Sequence, residues 1–168
     1  MTRRESVNAN GDEGIPQIFL APGMFHCAPA PSAITTVLGS CVAICLWDRK
    51  RRVGGMNHYV LPGRSSGQKS ARYGQFSADR LLKGMIDLGC RIETLEAKIF
   101  GGAAVLAGGV DEKSVGAQNV AFALEYLAKH HIPVKGRKTG GKRGLWIRQT
   151  TETGDVLVRT VNTQMRRV

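Results

Sequence analysis

Residues 34–47 read ITTVLGSCVAICLW, and the fold turns on how this stretch is understood. β-Branched and apolar side chains crowd it from end to end, the mark of a buried strand, with an interruption at Gly39-Ser40. The next five residues, DRKRR at 48–52, are charged throughout and read as a turn. VGGMNHYVLP at 53–62 then returns as a second strand that Pro62 ends, so a β-hairpin is predicted over residues 41–61. A tight hairpin with Arg49 and Lys50 at its tip sets Asp48 opposite Arg51 and, in the same register, Cys41 opposite His58. A bulge at Gly54 and Gly55 would shift that pairing by one residue.

Outward from this hairpin the elements follow from pattern. IFLA at 18–21 is a first short apolar run, and the Pro/Ala stretch at 28–33 breaks the chain before the central strand. Residues 63–76, rich in Gly, Ser and basic side chains, predict an exposed loop. Ser77 is suited to cap a helix carrying Leu81, Leu82, Met85 and Leu88 on one face, with Gly89 at its end. AKIFGG at 97–102 predicts a short strand entering a glycine turn. Ser114 is placed to cap a second helix with Val120, Phe122, Ala123, Leu124, Leu127 and Ala128 as its apolar face, stopped by Pro133. After a basic glycine-rich loop, KGRKTGGKRG, the runs LWIRQT and DVLVRTV flank the turn signal TETG as a C-terminal hairpin. Hairpins at both ends with two helices between them predict α+β layers and a mostly antiparallel sheet.

A chain of 168 residues, 42% apolar, has length for one domain with a real core. Residues 1–15 are polar and lack apolar period, so a disordered tail is expected, with the folded unit over 16–168. No apolar run approaches a membrane span and the basic N-terminus precedes no secretory segment, so a cytoplasmic protein without membrane insertion is expected. Four cysteines without a CxxC pair predict free thiols in a reducing compartment, and their spacing matches no zinc finger or ribbon. The net charge of +11 favours acidic partners. Nucleic acid is not expected among them, because aromatic residues, 6% of the chain, do not interleave with the basic clusters as a stacking platform would.

The residues that carry chemistry lie in the opening stretch. Glycine before Ser40 and Cys41 lets the backbone turn sharply and bring its amides towards a substrate carbonyl, with the thiol presented outward. The commoner role for such a cysteine is a small buried hydrophobe, and Cys45, on the same strand face, fits that role. A neutral imidazole beside the thiol can take its proton, and an imidazolium so formed favours the thiolate. Thr35, Thr36 and Asn57 are the polar residues within reach to orient the ring or the substrate, and spacing does not choose among them.

TTVLGSCVAICLWD followed by GGMNHYVLP resembles the signature of the CheD family, chemotaxis enzymes that deamidate glutamines on chemoreceptors. The likeness continues through LEAKIFGGA, VGAQNV and ETGDVLV, over roughly residues 17–160. Carried over by position, the resemblance implies Cys41 as nucleophile, His58 as base and Thr35 as the third catalytic group; Gly39, Ser40 and Asn57 are expected around the oxyanion and substrate from the local residues read above. The family is in turn similar to the catalytic domain of the cytotoxic necrotizing factor toxins, which implies a layered α/β sandwich with Cys and His on adjacent strands. Two departures touch partner surfaces: GQFSAD after Tyr73 delays the acidic residue to Asp79, and the late glycine loop, often acidic in the family, is basic here.

The chemistry so implied is a cysteine-dependent hydrolase, a protein-glutamine glutaminase. The Cys41 thiolate attacks a glutamine carboxamide, His58 protonates the departing ammonia, and water hydrolyses the resulting thioester to glutamate. The same thioester would form from a glutamyl methyl ester, so methylesterase activity is a second expectation. No metal or organic cofactor is required. Methyl-accepting chemoreceptors are the implied substrate, and the resemblance also implies binding to a CheC-type phosphatase, which as an alternative makes the chain a non-catalytic regulator.

Overall fold

The computed structural model describes residues 14–64, 66–67, 69–104 and 113–161. The expected tail lies, up to residue 13, outside the described residues. Nine strands form two sheets among the described residues. One sheet has the order β1 (Gln17–Phe19), β3 (Ala33–Leu38), β8 (Gly144–Thr150), β9 (Val156–Val161). The other has the order β2 (Phe25–Pro29), β5 (Val53–Asn57), β4 (Val42–Asp48), β6 (Leu95–Gly101), β7 (Val134–Thr139). Pairing is antiparallel except for β1 with β3 and β6 with β7. Helices α1 (Gly74–Asp87) and α2 (Val115–Lys129) cover the outer face of the five-stranded sheet. The layers are thus helices, five-stranded sheet, four-stranded sheet, an α+β sandwich as the patterning predicts.

Two apolar cores separate the three layers. Val42, Ile44 and Leu46 of β4 point to the helices with Leu81, Met85 and Leu127, whereas Ala43 and Cys45 point to the four-stranded sheet with Ile34, Leu38 and Ile147. A strand buried on both faces reads as a continuous apolar run, and every residue of β4 is buried. The opening stretch is therefore two strands and not one. β3 belongs to one sheet and β4 to the other, and the chain crosses between them at Gly39-Ser40-Cys41.

The β4–β5 hairpin forms, but not with a two-residue tip. Asp48 Oδ1 accepts the N–H groups of Lys50 and Arg51 at 2.9 and 3.1 Å, and Arg52, in the left-handed region at φ 53°, donates its N–H to the Asp48 carbonyl. An aspartate that captures the amides beyond it makes the longer turn favourable. Asp48 consequently pairs with Val53, Cys45 with Met56 and Val42 with Tyr59. The ladder is regular through Gly54 and Gly55, so no bulge lies there.

Three further expectations need correction. Helix α1 begins at Gly74, and Ser77 lies buried inside it without capping anything. The Pro/Ala break at 28–33 in part continues β2, an edge strand on β5. The basic loop after Pro133 is in large part β7, a polar edge strand parallel to β6. Ser114 caps α2 as expected, accepting the Ala117 N–H, and Gly89 follows α1 at φ 85°.

Candidate active site

Cys41 ends the crossing between the sheets and is half-buried, with its side chain against the core between them. The crossing is held from behind. The carbonyls of Gly39, Ser40 and Cys41 accept, respectively, from Ala103 N at 2.9 Å, Asn119 Nδ2 at 3.0 Å and Gly102 N at 2.8 Å. With all three carbonyls turned to the β6–α2 side, the N–H groups of Ser40 and Cys41 have no backbone acceptor among the described residues, and that of Cys41 lies by its own thiol. Two such amides beside a thiol are what an oxyanion needs.

Gly101 makes that arrangement feasible. Its φ is 105°, and a Cβ built there would stand 2.2 Å from the Cys41 carbonyl oxygen. Only glycine tolerates both the backbone conformation and the contact. The sequence predicts a glycine turn after β6 but not its partner, because nothing local reveals that residue 101 abuts residue 41.

His58 directly follows β5 and is buried, 2% exposed. The Val42–Tyr59 bridge puts Ala43 opposite His58 and Val60 opposite Cys41. Cys41 and His58 are therefore not directly paired. They are diagonal neighbours on one face of the sheet, roughly 7–8 Å apart at the backbone and within reach of a long side chain. The main chain of His58 is clamped by the preceding turn: its N–H donates to Met24 O at 2.9 Å and its carbonyl accepts from Gly23 N at 2.8 Å.

The ring reaches across the sandwich to β3. Its Nδ1 lies 2.8 Å from Thr36 Oγ1, which in turn lies 2.7 Å from the Leu20 carbonyl oxygen. That carbonyl has no proton to give, so the Thr36 hydroxyl donates to it and accepts from His58 Nδ1–H. The tautomer follows: Nε2 is the unprotonated nitrogen. It is buried and has no hydrogen-bond partner among the described residues. An acceptor so placed, on the thiol's face of the sheet, is free to receive a proton.

The hydroxyl that meets the His58 ring is that of Thr36, one residue on from the expected Thr35. Ile34, Thr36 and Leu38 are fully buried and turned to the other sheet, while Thr35 and Val37 alternate outward and are more exposed. Asn57 also stands elsewhere than expected. Met56 and His58 face the four-stranded sheet, so Asn57 between them faces the helices, where its Oδ1 accepts the Ile44 N–H at 2.7 Å. Asn57 mends the ladder of β4, and the residue that fastens the 39–41 crossing is Asn119, whose Nδ2 also donates to Val60 O at 2.9 Å. An asparagine inside a helix whose other buried side chains are largely apolar was the available signal.

The electrostatics favour an uncharged pair. Burial pulls the His58 imidazole from an ordinary 6.5 down to about 4, against the hydrogen bond to Leu20 that supports its charged form. Burial likewise raises the Cys41 thiol, opposed by the positive charge of Arg72 and by the thiol's own backbone N–H. Cys27, Cys45 and Cys90 are also free thiols raised by burial. No group of three His, Cys, Asp or Glu among the described residues is arranged to hold a metal. No helix among them is long and apolar enough to cross a membrane.

Comparison with known proteins adds the family. The family described as CheD chemotactic sensory transduction matches residues 60–160. A Rhodospirillum rubrum protein named as a probable chemoreceptor glutamine deamidase CheD is 53% identical over 147 residues, 88% of this chain and 84% of that one. This chain belongs to the CheD family. An Anaeromyxobacter dehalogenans CheD of the same description is 41% identical over 150 residues, covering 83% of this chain and 88% of its own. Among solved structures, the Neisseria meningitidis protein NMB0706, of the DUF152 family, aligns over 76% of this chain and 63% of its own with a TM-score of 0.44 and 13% identity. Membership implies a role in chemotaxis.

Proposed function

We propose that this CheD protein deamidates glutamine side chains of chemoreceptors, with Cys41 as nucleophile and His58 as general base. The observation that carries the reading is the imidazole, on the face that holds Cys41, whose Nδ1 is fixed on Thr36 while its buried Nε2 has no partner among the described residues. The names of its relatives, probable chemoreceptor glutamine deamidases, support the substrate class.

The resting pair is thiol and neutral imidazole, because burial disfavours both charges. As Cys41 Sγ adds to the carboxamide carbon, its proton passes to His58 Nε2, and the amides of Ser40 and Cys41 receive the oxyanion. Collapse returns the proton from His58 to the leaving nitrogen, and ammonia departs from a glutamyl thioester. Water, deprotonated by neutral His58, then adds to the thioester, giving glutamate and restoring the thiol. Thr36 orients the ring in both halves. A glutamyl methyl ester would give the same thioester with methanol leaving, so methylesterase activity accompanies the proposal.

The test is mass spectrometry of receptor incubated with the wild-type protein and with Cys41→Ala. Wild type is expected to release ammonia and to give the mass gain of NH₂ exchanged for OH, and the variant to give neither. Deamidation retained by folded Cys41→Ala would overturn the assignment.

A further inference from the structure

At the rim of the site stands a cation that the chemistry above does not use. Arg72 is exposed, yet its backbone is fixed: its carbonyl accepts the N–H groups of Val60 at 2.8 Å and Leu61 at 3.0 Å. Val60 is the residue opposite Cys41, so the clamp holds Arg72 next to the strand position facing the nucleophile. The side-chain stem is fixed as well. It lies over Gly23, where φ is 82° and a Cβ would stand 2.9 Å from Arg72 Cγ. Gly23 is the residue whose N–H holds the His58 carbonyl. Arg72 is therefore built into the same turn that fixes the imidazole. Its charge acts on the Cys41 sulfur, lowering the thiolate's cost against burial. The ion pairs among the described residues are Arg52 with Glu152, Lys83 with Asp87 and Arg91 with Glu93, and none of them engages Arg72.

We propose that Arg72 is a specificity-determining residue that receives a carboxylate beside the target glutamine, so that this protein selects glutamines flanked by acidic side chains. This rests on the deamidase reading and deepens it. A guanidinium fork matches a carboxylate in two parallel hydrogen bonds, and at a rim open to solvent it discriminates by charge while leaving the neutral carboxamide to the thiol and the loop amides. The proposal also gives the basic segment around residues 63–72 a defined contact in place of a general attraction.

Two measurements test it. In the first, Cys41 is alkylated by iodoacetate, which is anionic, and by iodoacetamide, which is neutral, with the modified cysteine located by peptide mapping. The ratio of the two rates cancels any change in thiolate population and reports the cation alone. Arg72→Gln is expected to lower the iodoacetate-to-iodoacetamide ratio by about fivefold, the upper range for an exposed charge pair, while Arg72→Lys retains most of it. In the second, paired glutamine peptides carrying Glu or Ala next to the target are compared for kcat/KM. Wild type is expected to prefer the acidic peptide by a similar factor, and Arg72→Gln to bring the ratio of the two peptides towards one, whatever loss both share through the Cys41 thiolate. An unchanged alkylation ratio, or equal losses on both peptides, would overturn the proposal. Charge-selective alkylation without deamidation of any glutamine substrate would support the anion-receiving rim and count against the deamidase reading instead.

Discussion

Thr36→Val separates the geometry found here from the position that family likeness alone would choose. The substitution keeps shape but removes a fully buried hydroxyl that accepts from His58 Nδ1 and donates to the Leu20 carbonyl. Val for Thr is not conservative in such a place, since two buried polar groups lose a partner, and about 1–3 kcal/mol of stability should go with them. The effect on rate comes through the tautomer. A hydrogen bond worth about 1 kcal/mol on Nδ1 biases the ring about fivefold towards the form with Nε2 free. Its loss also frees the ring to rotate, and general-base catalysis as a whole contributes about 100- to 10,000-fold. Because the Leu20 carbonyl remains near Nδ1, the expected loss is intermediate, about 10- to 100-fold in kcat/KM and mostly in kcat.

The assay is ammonia release from receptor, with thermal denaturation alongside to establish folding. Thr36→Ser should stay within about threefold of wild type, because it restores both bonds, and Thr35→Val should be nearly silent, since surface changes away from a site usually are. A folded Thr36→Val with wild-type kcat/KM, or a Thr35→Val as damaging as Thr36→Val, would refute the assignment of the orienting role.

The neutral pair has a pH signature. The folded-state pKa of His58 lies below its unfolded value, so its contribution to stability is full above about 6.5 and is lost as pH falls towards 4, up to about 3 kcal/mol; chemical denaturation at several pH values should show that slope, and His58→Asn should flatten it. Alkylation of Cys41 by iodoacetamide should rise with pH through an apparent pKa above the ordinary thiol value, because burial raises it; a midpoint below neutrality would instead indicate a preformed thiolate–imidazolium pair. Gly101→Ala meets both a positive φ and the Cys41 carbonyl, and strain of about 1–3 kcal/mol placed on the nucleophile loop should lower kcat at least about tenfold, read by the same ammonia assay.

The sequence was legible where a signal is local. Strand and helix patterns, the Ser114 cap and the C-terminal hairpin all come from neighbouring residues. What escaped depended on distant ones. The hairpin register turned on whether Asp48 spends its carboxylate on the turn amides, and that choice is secured by Thr94 Oγ1, which donates to its other oxygen at 2.6 Å. The two threonines of β3 could not be told apart because strand phase needs to be known from the opposing sheet, and Ile34 and Val37 point the eye both ways. β7 carries no apolar alternation at all; it exists because β6 offers it a parallel edge.

The register of the hairpin bears on the chemistry itself. Direct cross-strand pairing would have put thiol and imidazole in the closest approach an antiparallel ladder offers, the geometry suited to a standing ion pair. Diagonal placement, with the imidazole drawn across the sandwich by Thr36, leaves both groups where burial disfavours their charged forms. Under the proposed mechanism the thiol then loses its proton as a substrate carbonyl arrives to share the charge with the loop amides, which ties reactivity to a correctly seated carboxamide. Arg72, outside the buried pair but within its field, then has one clear use: it sets which glutamine is seated, by the charge of the residue beside it.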